Sequence, residues 1–301
     1  MENPMKIMIF GGNGLLGNNL VRALSGKHTV FYSIRGEPFQ DNKSQFFFDA
    51  SSLKNFDCTI LNGIDVIINC IGLADVERCE SEPFLANHLN NEVPKFLAKV
   101  SYDHNIKLVH ISTDHFFANS SLLANEDSTI NAVNNYGLTK LMGEKSVLDF
   151  NKNSLIIRTN FFGHDYNKNN SLTDWLVSKL INNNQVYGFS DIYFSPVSIN
   201  FLAEAVLEIL KLKYSGVLNV SSNECISKYD FLVKVSKIFQ LNSELIESVK
   251  SNSIAGRVSR PKNMCLDNQK LESLIDFKVP SMDDMLLNQF HDYQDWIDSF
   301  K

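Results

Sequence analysis

Two side chains four residues apart carry the first chemical signal in this 301-residue chain: Tyr136 and Lys140, in Tyr136-Gly137-Leu138-Thr139-Lys140. On a helix, residues so spaced share one face, so an ammonium can stand beside a phenol. A free tyrosine ionises near pH ~10. A neighbouring cation favours phenolate and draws the group toward the range where it exchanges a proton at neutral pH. The same pair also arises by chance on surface helices, so its meaning depends on what surrounds it.

A second signal lies near the start. Lys6-Ile7-Met8-Ile9-Phe10 reads as a buried strand, and it enters Gly11-Gly12-Asn13-Gly14-Leu15-Leu16-Gly17 followed by a helical pattern through Leu24. Glycines between a strand and a helix permit a tight turn and a close backbone approach to a pyrophosphate, while the helix N-terminus offers free N–H groups. The next strand, Thr29 to Ile34, ends at Arg35-Gly36. An arginine there suits the 2′-phosphate of NADP(H), and a carboxylate would suit NAD. Glu37 competes for that role but lies in a Gly-Glu-Pro turn, where it reads as a solvated loop charge.

The remaining elements must position these groups. Apolar runs at Ser44–Phe48, Asp65–Gly72, Lys107–Ile111 and Ser154–Thr159 alternate with helical patterns, as in a parallel α/β sheet. Asp49 either hydrogen-bonds an adenine or caps a helix begun by Ser51-Ser52. A long amphipathic helix is expected from Ser81-Glu82-Pro83 to about Asp103. Asn90-Asn91 interrupt its apolar face, as ligand contacts or as hydrogen-bonded core asparagines. The tyrosine helix is expected over Leu138 to Phe150. Ser112-Thr113-Asp114-His115-Phe116-Phe117, at a strand's carboxyl end, places hydroxyl, carboxyl and imidazole groups where such sheets hold their sites; a capped turn is the plain alternative. Beyond Gly163 the polar stretch Asp165 to Asn170 marks a boundary. It separates a dinucleotide-binding domain, 1–163, from a mainly substrate-binding domain, 164–301, with part of 186–220 returning to the first. Helices are expected at Leu172–Ile181, Ile199–Lys211 and Lys228–Phe239, with strands near Gln185–Phe189 and Val217–Val220.

Composition narrows the partners. The hydrophobic share is 44%, the charged share 21%, and 28 basic against 34 acidic residues give a net charge of −6. No basic run points to nucleic acid or an anionic membrane. Apolar runs are too short for a membrane span, and Met1 to Lys6 leads into a strand, so a cytoplasmic protein is expected. Cys58, Cys70, Cys79, Cys225 and Cys265 have no Cys-x-x-Cys spacing, and reduced thiols are the expectation.

With these residues in hand, the chain resembles the extended short-chain dehydrogenase/reductases, most closely the dTDP-4-dehydrorhamnose reductase family. The likeness runs through Phe10 to Gly17, Asp65 to Gly72, Glu80-Ser-Glu-Pro83, Asn90, Ser112-Thr-Asp114, Tyr136 to Glu144, Ile157-Arg-Thr159, and Arg260-Pro-Lys-Asn263 with Leu266-Asp267. The resemblance implies a Rossmann-type doubly wound parallel sheet with a smaller C-terminal α/β substrate domain. It implies reduction by NADPH, with NADH as the alternative, of the C4 ketone of a nucleotide-activated 6-deoxy-4-ketohexose in nucleotide-sugar and surface-polysaccharide biosynthesis. Thr113, Tyr136 and Lys140 then form the catalytic set. Gly11, Asn13, Gly14, Leu15, Leu16, Gly17, Arg35, Asp49, Ala50, Cys70, Ile71 and Gly72, with Tyr136 and Lys140, fall at cofactor positions. Asn90, Asp114, His115 and Phe161 fall near the sugar. His115 stands where the family usually has tyrosine, Phe161 where it has tryptophan, and Cys70-Ile71-Gly72 where its strand end is alanine-rich. Asn19 replaces a glutamate that helps bind magnesium at a dimer interface in well-known members, so no metal is expected and a homodimer is left open. An epimerase of the same superfamily and a non-catalytic NADP-binding regulatory subunit, like the methionine adenosyltransferase beta subunit, are the other functions this resemblance admits.

Overall fold

The computed structural model describes residues 4–36, 42–116, 123–167, 171–253 and 256–299. Glu37, Phe117 and the end of the polar stretch 165–170 lie outside the described residues. Contacts divide the chain into two compact units: Met1–Thr113, Ala132–Arg158 and Leu210–Leu218 form the first, and Asp114–Asn131, Thr159–Ile209 and Asn219–Lys301 the second.

The first unit is built on strands β1 (Lys6–Phe10), β2 (Thr29–Ile34), β3 (Gln45–Phe47), β4 (Val66–Asn69), β5 (Lys107–Ile111) and β6 (Leu155–Thr159). Together with Gly216–Val220 they make a seven-stranded sheet in the order Gly216–Val220, β6, β5, β4, β1, β2, β3. The pairs β3–β2, β2–β1, β1–β4, β4–β5 and β5–β6 are all parallel. The doubly wound sheet implied above is therefore present. Four of five side chains in β1 and all in β4 are buried, as expected of strands covered on both faces. The chain winds outward through β2 and β3, returns, and winds the other way through β4 to β6, so β1 and β4 flank the topological switch point.

Three consecutive phenylalanines follow the strand period of two. Phe46 and Phe48 lie 5.4 and 4.9 Å from the Phe10 ring, both edge to face, while Phe47 is 56% exposed. Phe56 and Phe96 extend this cluster beneath the sheet.

Helix α1 (Leu15–Leu24) follows β1. The single helix expected from 81 to 103 is instead three pieces: α2 (Val76–Ser81), α3 (Pro83–Asn87), and α4 (Val93–Asp103) joined to α3 by a π-turn at His88–Glu92. Asn90 and Asn91 sit within that turn, and their tertiary hydrogen bonds offset the irregular backbone. Helix α5 (Asn135–Phe150) begins three residues before the expected start. Asn134 caps it by accepting from Gly137 N, and Glu80 grips Asn135 through both carboxylate oxygens at 2.7 Å.

In the second unit α6 (Leu172–Ile181) opens with a Ser171/Asp174 capping box. Asp174, fully buried, also accepts from His164 Nδ1 at 2.8 Å and Tyr293 Oη at 2.7 Å, tying the helix start to the C-terminal helix Met282–Asp298. The expectation of reduced thiols fails here, because Cys225 and Cys265 form a disulfide. Ile226 and Met264 both pair with Phe194, one from each side, and beside these short strands Cys225 and Cys265 come to a Cα separation of 5.5 Å. The two cysteines are 40 positions apart, a tertiary proximity that spacing in the chain does not reveal. Cysteine usage therefore gives no argument for a reducing compartment. Among the described residues no helix is long and apolar enough to cross a membrane.

Candidate functional site

The glycine loop is held by its neighbours rather than by its own turn alone. Gly11 N donates to Ser33 Oγ at 2.8 Å and Gly12 N to Ser33 O at 2.9 Å, so β2 fixes the loop that leaves β1. Gly11 has φ +89°, a conformation that L side chains rarely adopt, and its face rests on the Cys70–Ile71 backbone. A Cβ on Gly17 would run into the Gly11 carbonyl, which lets α1 start directly against the loop. Gly14 is the N-cap of α1, and no side chain caps the helix. Its first-turn N–H groups thus have no side-chain cap and lie beside a residue with no bulk, a fit for a pyrophosphate. Asn13 and Gly14 are exposed, Leu15 is half-buried, and Leu16 is buried against the sheet.

Arg35 follows β2 directly and is exposed. Asp49 is exposed too, and its Oδ1 accepts from Ser51 N and Ser51 Oγ, bonds that hold its carboxyl below the usual range. No α-helix begins at Ser51, so the capping alternative is wrong in kind: Asp49 closes a tight turn through Oδ1. Ala50 offers its carbonyl to His88 Nε2 at 2.6 Å, which links this turn to the π-turn.

Across the switch point the sequence-predicted residues converge. Cys70, Ile71 and Gly72 follow β4. Asn69 Oδ1 accepts from Ile71 N at 3.0 Å, orienting the amide so that Nδ2 donates to His110 Nδ1 at 3.1 Å. His110 is fully buried and held well below its ordinary pKa, first by burial and then by Lys140. Asn90 is fully buried. Its Oδ1 accepts from Leu73 N, and its Nδ2 donates to Leu73 O and Thr139 Oγ1 at 3.1 Å each. Both amide protons are spent on the protein, so Asn90 is the hydrogen-bonded core asparagine of the two alternatives, bracing Gly72 and α5. A Cβ on Gly143 would strike the Asn90 carbonyl, which shows how closely α5 lies on the π-turn.

Lys140 is buried, and its Nζ donates to the carbonyl of Ile111, the last residue of β5, at 2.7 Å. Burial lowers its pKa to about 8, against Glu144 and Cys70, which raise it. Cys70 in turn is pushed up to about 12 by burial, so it stays a thiol beside the ammonium. Tyr136, one turn earlier on α5, is half-buried against Leu73, Cys79 and Ala86. Thr113 is 5% exposed and lies two residues beyond the carbonyl that anchors Lys140.

In the second unit Asp114, 1% exposed, accepts from Asn160 Nδ2 at 2.9 Å. His115 Nδ1 lies 4.0 Å from Asp114 Oδ1. Burial, with Lys228 and Arg260 adding to it, lowers the His115 pKa to about 3, so the imidazole is neutral. Phe161 is half-buried and pairs with Val197 in a short parallel bridge. Asn19 is buried in α1 with Nδ2 on Leu15 O at 2.9 Å. Sequence reasoning missed Ser33, His88, His110 and the Glu144–Arg158 pair. Only Ser33, a small polar residue inside a β-branched run, left a readable trace.

The family described as RmlD substrate binding domain matches residues 5–294. A probable low-salt glycan biosynthesis reductase, Agl14, of Haloferax volcanii is 30% identical over 291 residues, 94% of this chain and 96% of its own length. A dTDP-4-dehydrorhamnose reductase of Aggregatibacter actinomycetemcomitans is 26% identical over 284 residues, 89% of this chain and 92% of its own. The crystal structure of the Bacillus anthracis dTDP-4-dehydrorhamnose reductase in complex with NADP has the same fold, with TM-score 0.85, 21% identity and coverage of 96% of this chain and 100% of that one.

Proposed function

The chain belongs to the RmlD substrate binding domain family, the dTDP-4-dehydrorhamnose reductases of the extended short-chain dehydrogenase/reductases, and is by that membership an NAD(P)-dependent oxidoreductase; from this premise we propose that it uses NADPH to reduce the C4 ketone of a nucleotide-activated 6-deoxy-4-ketohexose. The observation that carries the reading is Lys140, a buried ammonium anchored to the last carbonyl of β5, one helical turn from Tyr136 and just before Thr113 in the sheet's carboxyl-edge loop.

The residues fit a dinucleotide. Gly11 to Gly17 and the uncapped start of α1 would hold its pyrophosphate, Arg35 its 2′-phosphate, and Lys140 its nicotinamide ribose. When bound, the nicotinamide supplies the hydride that the protein's own side chains cannot. Tyr136 gives a proton to the carbonyl oxygen, and the Thr113 hydroxyl donates a hydrogen bond to the same oxygen as charge develops there. Lys140 favours the phenolate form of Tyr136 and so assists loss of its proton. Asp114, aimed by Asn160, accepts from a sugar hydroxyl. The neutral His115 offers the sugar a group that both donates and accepts, in the place of the family's phenol.

The test is NADPH oxidation followed by absorbance against a panel of nucleoside-diphosphate 4-keto-6-deoxyhexoses. Turnover of at least one panel member, with the reduced sugar recovered, is expected. Tight NADPH binding with no turnover of any member would sink the reductase reading and leave a dinucleotide-binding regulatory protein.

A further inference from the structure

Tyr136, Lys140 and Glu144 recur every four residues on α5, so they form one stripe, of which Lys140 and Glu144 reach strands β5 and β6. Lys140 and Glu144 are 5% and 3% exposed. At the stripe's end Glu144 meets Arg158 of β6 in a forked pair: Nε reaches Oε1 and Oε2 at 3.0 and 3.1 Å, and Nη2 reaches Oε2 at 2.7 Å. Both partners are about as buried as core residues, at 4% and 3% side-chain exposure. A surface helix has no need of such a pair for stability, since buried ion pairs often contribute no more than apolar residues of the same volume.

We propose that the Arg158–Glu144 fork is a positioning element for Lys140, locking α5 to β6 and keeping a carboxylate one turn from the ammonium so that Lys140 remains cationic in a dry site. Among the described residues, the titratable groups that act on Lys140 are Glu144 on α5 itself, Cys70 just beyond β4 and the neutral His110 of β5. Arg158 of β6 stands behind Glu144, Tyr136 lies one turn earlier on α5, and the π-turn contributes only the uncharged Asn90. Burial pulls the Lys140 proton affinity down, and Glu144 is the first group that opposes it. Arg158 holds that carboxylate in place while damping its field. Removing either partner therefore moves Lys140 in opposite directions, which a purely structural pair would not do.

The inference rests on the reading that Lys140 serves the dinucleotide, and its test is read from cofactor binding, so failure of the sugar reaction leaves it intact. NADPH affinity is titrated by fluorescence from neutral to alkaline pH in the full-length parent, in Glu144→Gln and in Arg158→Met. In the parent, binding weakens as Lys140 loses its proton. In Glu144→Gln that weakening moves to lower pH by about one unit, and in Arg158→Met it moves to higher pH. Each variant is compared only after circular dichroism shows parental secondary structure. The double variant Glu144→Gln/Arg158→Met, which leaves no unpaired charge, covers the case in which a single one fails to fold; it too shifts to lower pH. Superimposable pH profiles in the folded variants, or shifts of the same sign in both single variants, would overturn the proposal.

Discussion

Lys107 and Lys140 stand at opposite ends of β5, and the two regions around them differ in a way that separates fold from chemistry. Lys140 is buried and Lys107 half-buried, and burial lowers both to about 8. Lys107, the first residue of the strand, donates to Asn153 O and Tyr214 O at 2.6 Å each and to Ser215 Oγ at 2.8 Å. All three of its N–H bonds are satisfied within the protein, and the group ties β5 to the loops beside it. Lys140 donates once, to Ile111 O. The proposed site assigns its remaining N–H bonds to the ribose of the dinucleotide. The amino edge of the sheet spends its polar groups on itself, and the carboxyl edge holds some in reserve.

Replacing Lys140 with Ala breaks the comparison on its reactive side and has the largest effect. NADPH affinity and turnover fall together, turnover by roughly 10²-fold or more, while thermal unfolding changes little. A variant that lost stability and kept its turnover would reverse the roles assigned to the two ends. Arg35 tests the same edge at an exposed cation. Arg35→Ala should lose most of the preference for NADPH over NADH, about 1.5–3 kcal/mol for charge-assisted bonds, measured as the ratio of the two dissociation constants. Equal affinities in the parent would remove Arg35 from the account.

Lys107→Met sharpens the structural side. Three acceptors lose their donor, and the midpoint of urea unfolding should fall by the equivalent of about 1–2 kcal/mol with turnover of the folded enzyme unchanged. Its pH dependence has a definite sign. The folded pKa near 8 lies below the ordinary lysine value of about 10.4, so between these pH values the unfolded chain binds more protons and stability rises with pH. Below about pH 8 the protonated amine is buried at a cost and this contribution is absent. The Met variant should show a flatter rise between pH 8 and about 10.4, and an unchanged slope would mean that Lys107 titrates as a free surface lysine.

What the sequence made readable follows the same division. β1, α1 and β2 announce themselves by apolar runs and glycines, because a turn at φ +89° and a helix packed on the Gly11 carbonyl leave few residue types allowed. The Gly11 turn was legible for that reason, and the Tyr136–Lys140 pair because positions four apart share a helix face. The π-turn at His88–Glu92 was not, since its cause is tertiary: Asn90 reaches Leu73 and Thr139, residues 17 and 49 positions away. The Cys225–Cys265 bond depends on which strands share Phe194, and the Glu144–Arg158 fork on α5 lying over β6, so neither leaves a local pattern. The C-terminal helix Met282–Asp298 did leave a local pattern, Ser281 as cap before a stripe of Met282, Met285, Leu286 and Tyr293, and was missed all the same.

The central claim is that Tyr136 is the acid at the carboxyl edge, and Tyr136→Phe tests it most directly, with NADPH affinity and turnover of a keto-sugar measured side by side on parent and variant. The exchange removes one hydroxyl and keeps the ring that packs against Leu73, Cys79 and Ala86, so the fold and the glycine loop are undisturbed. The account predicts a dissociation constant for NADPH close to the parent's and a turnover lower by roughly 10²- to 10⁴-fold. Turnover equal to the parent's would contradict it.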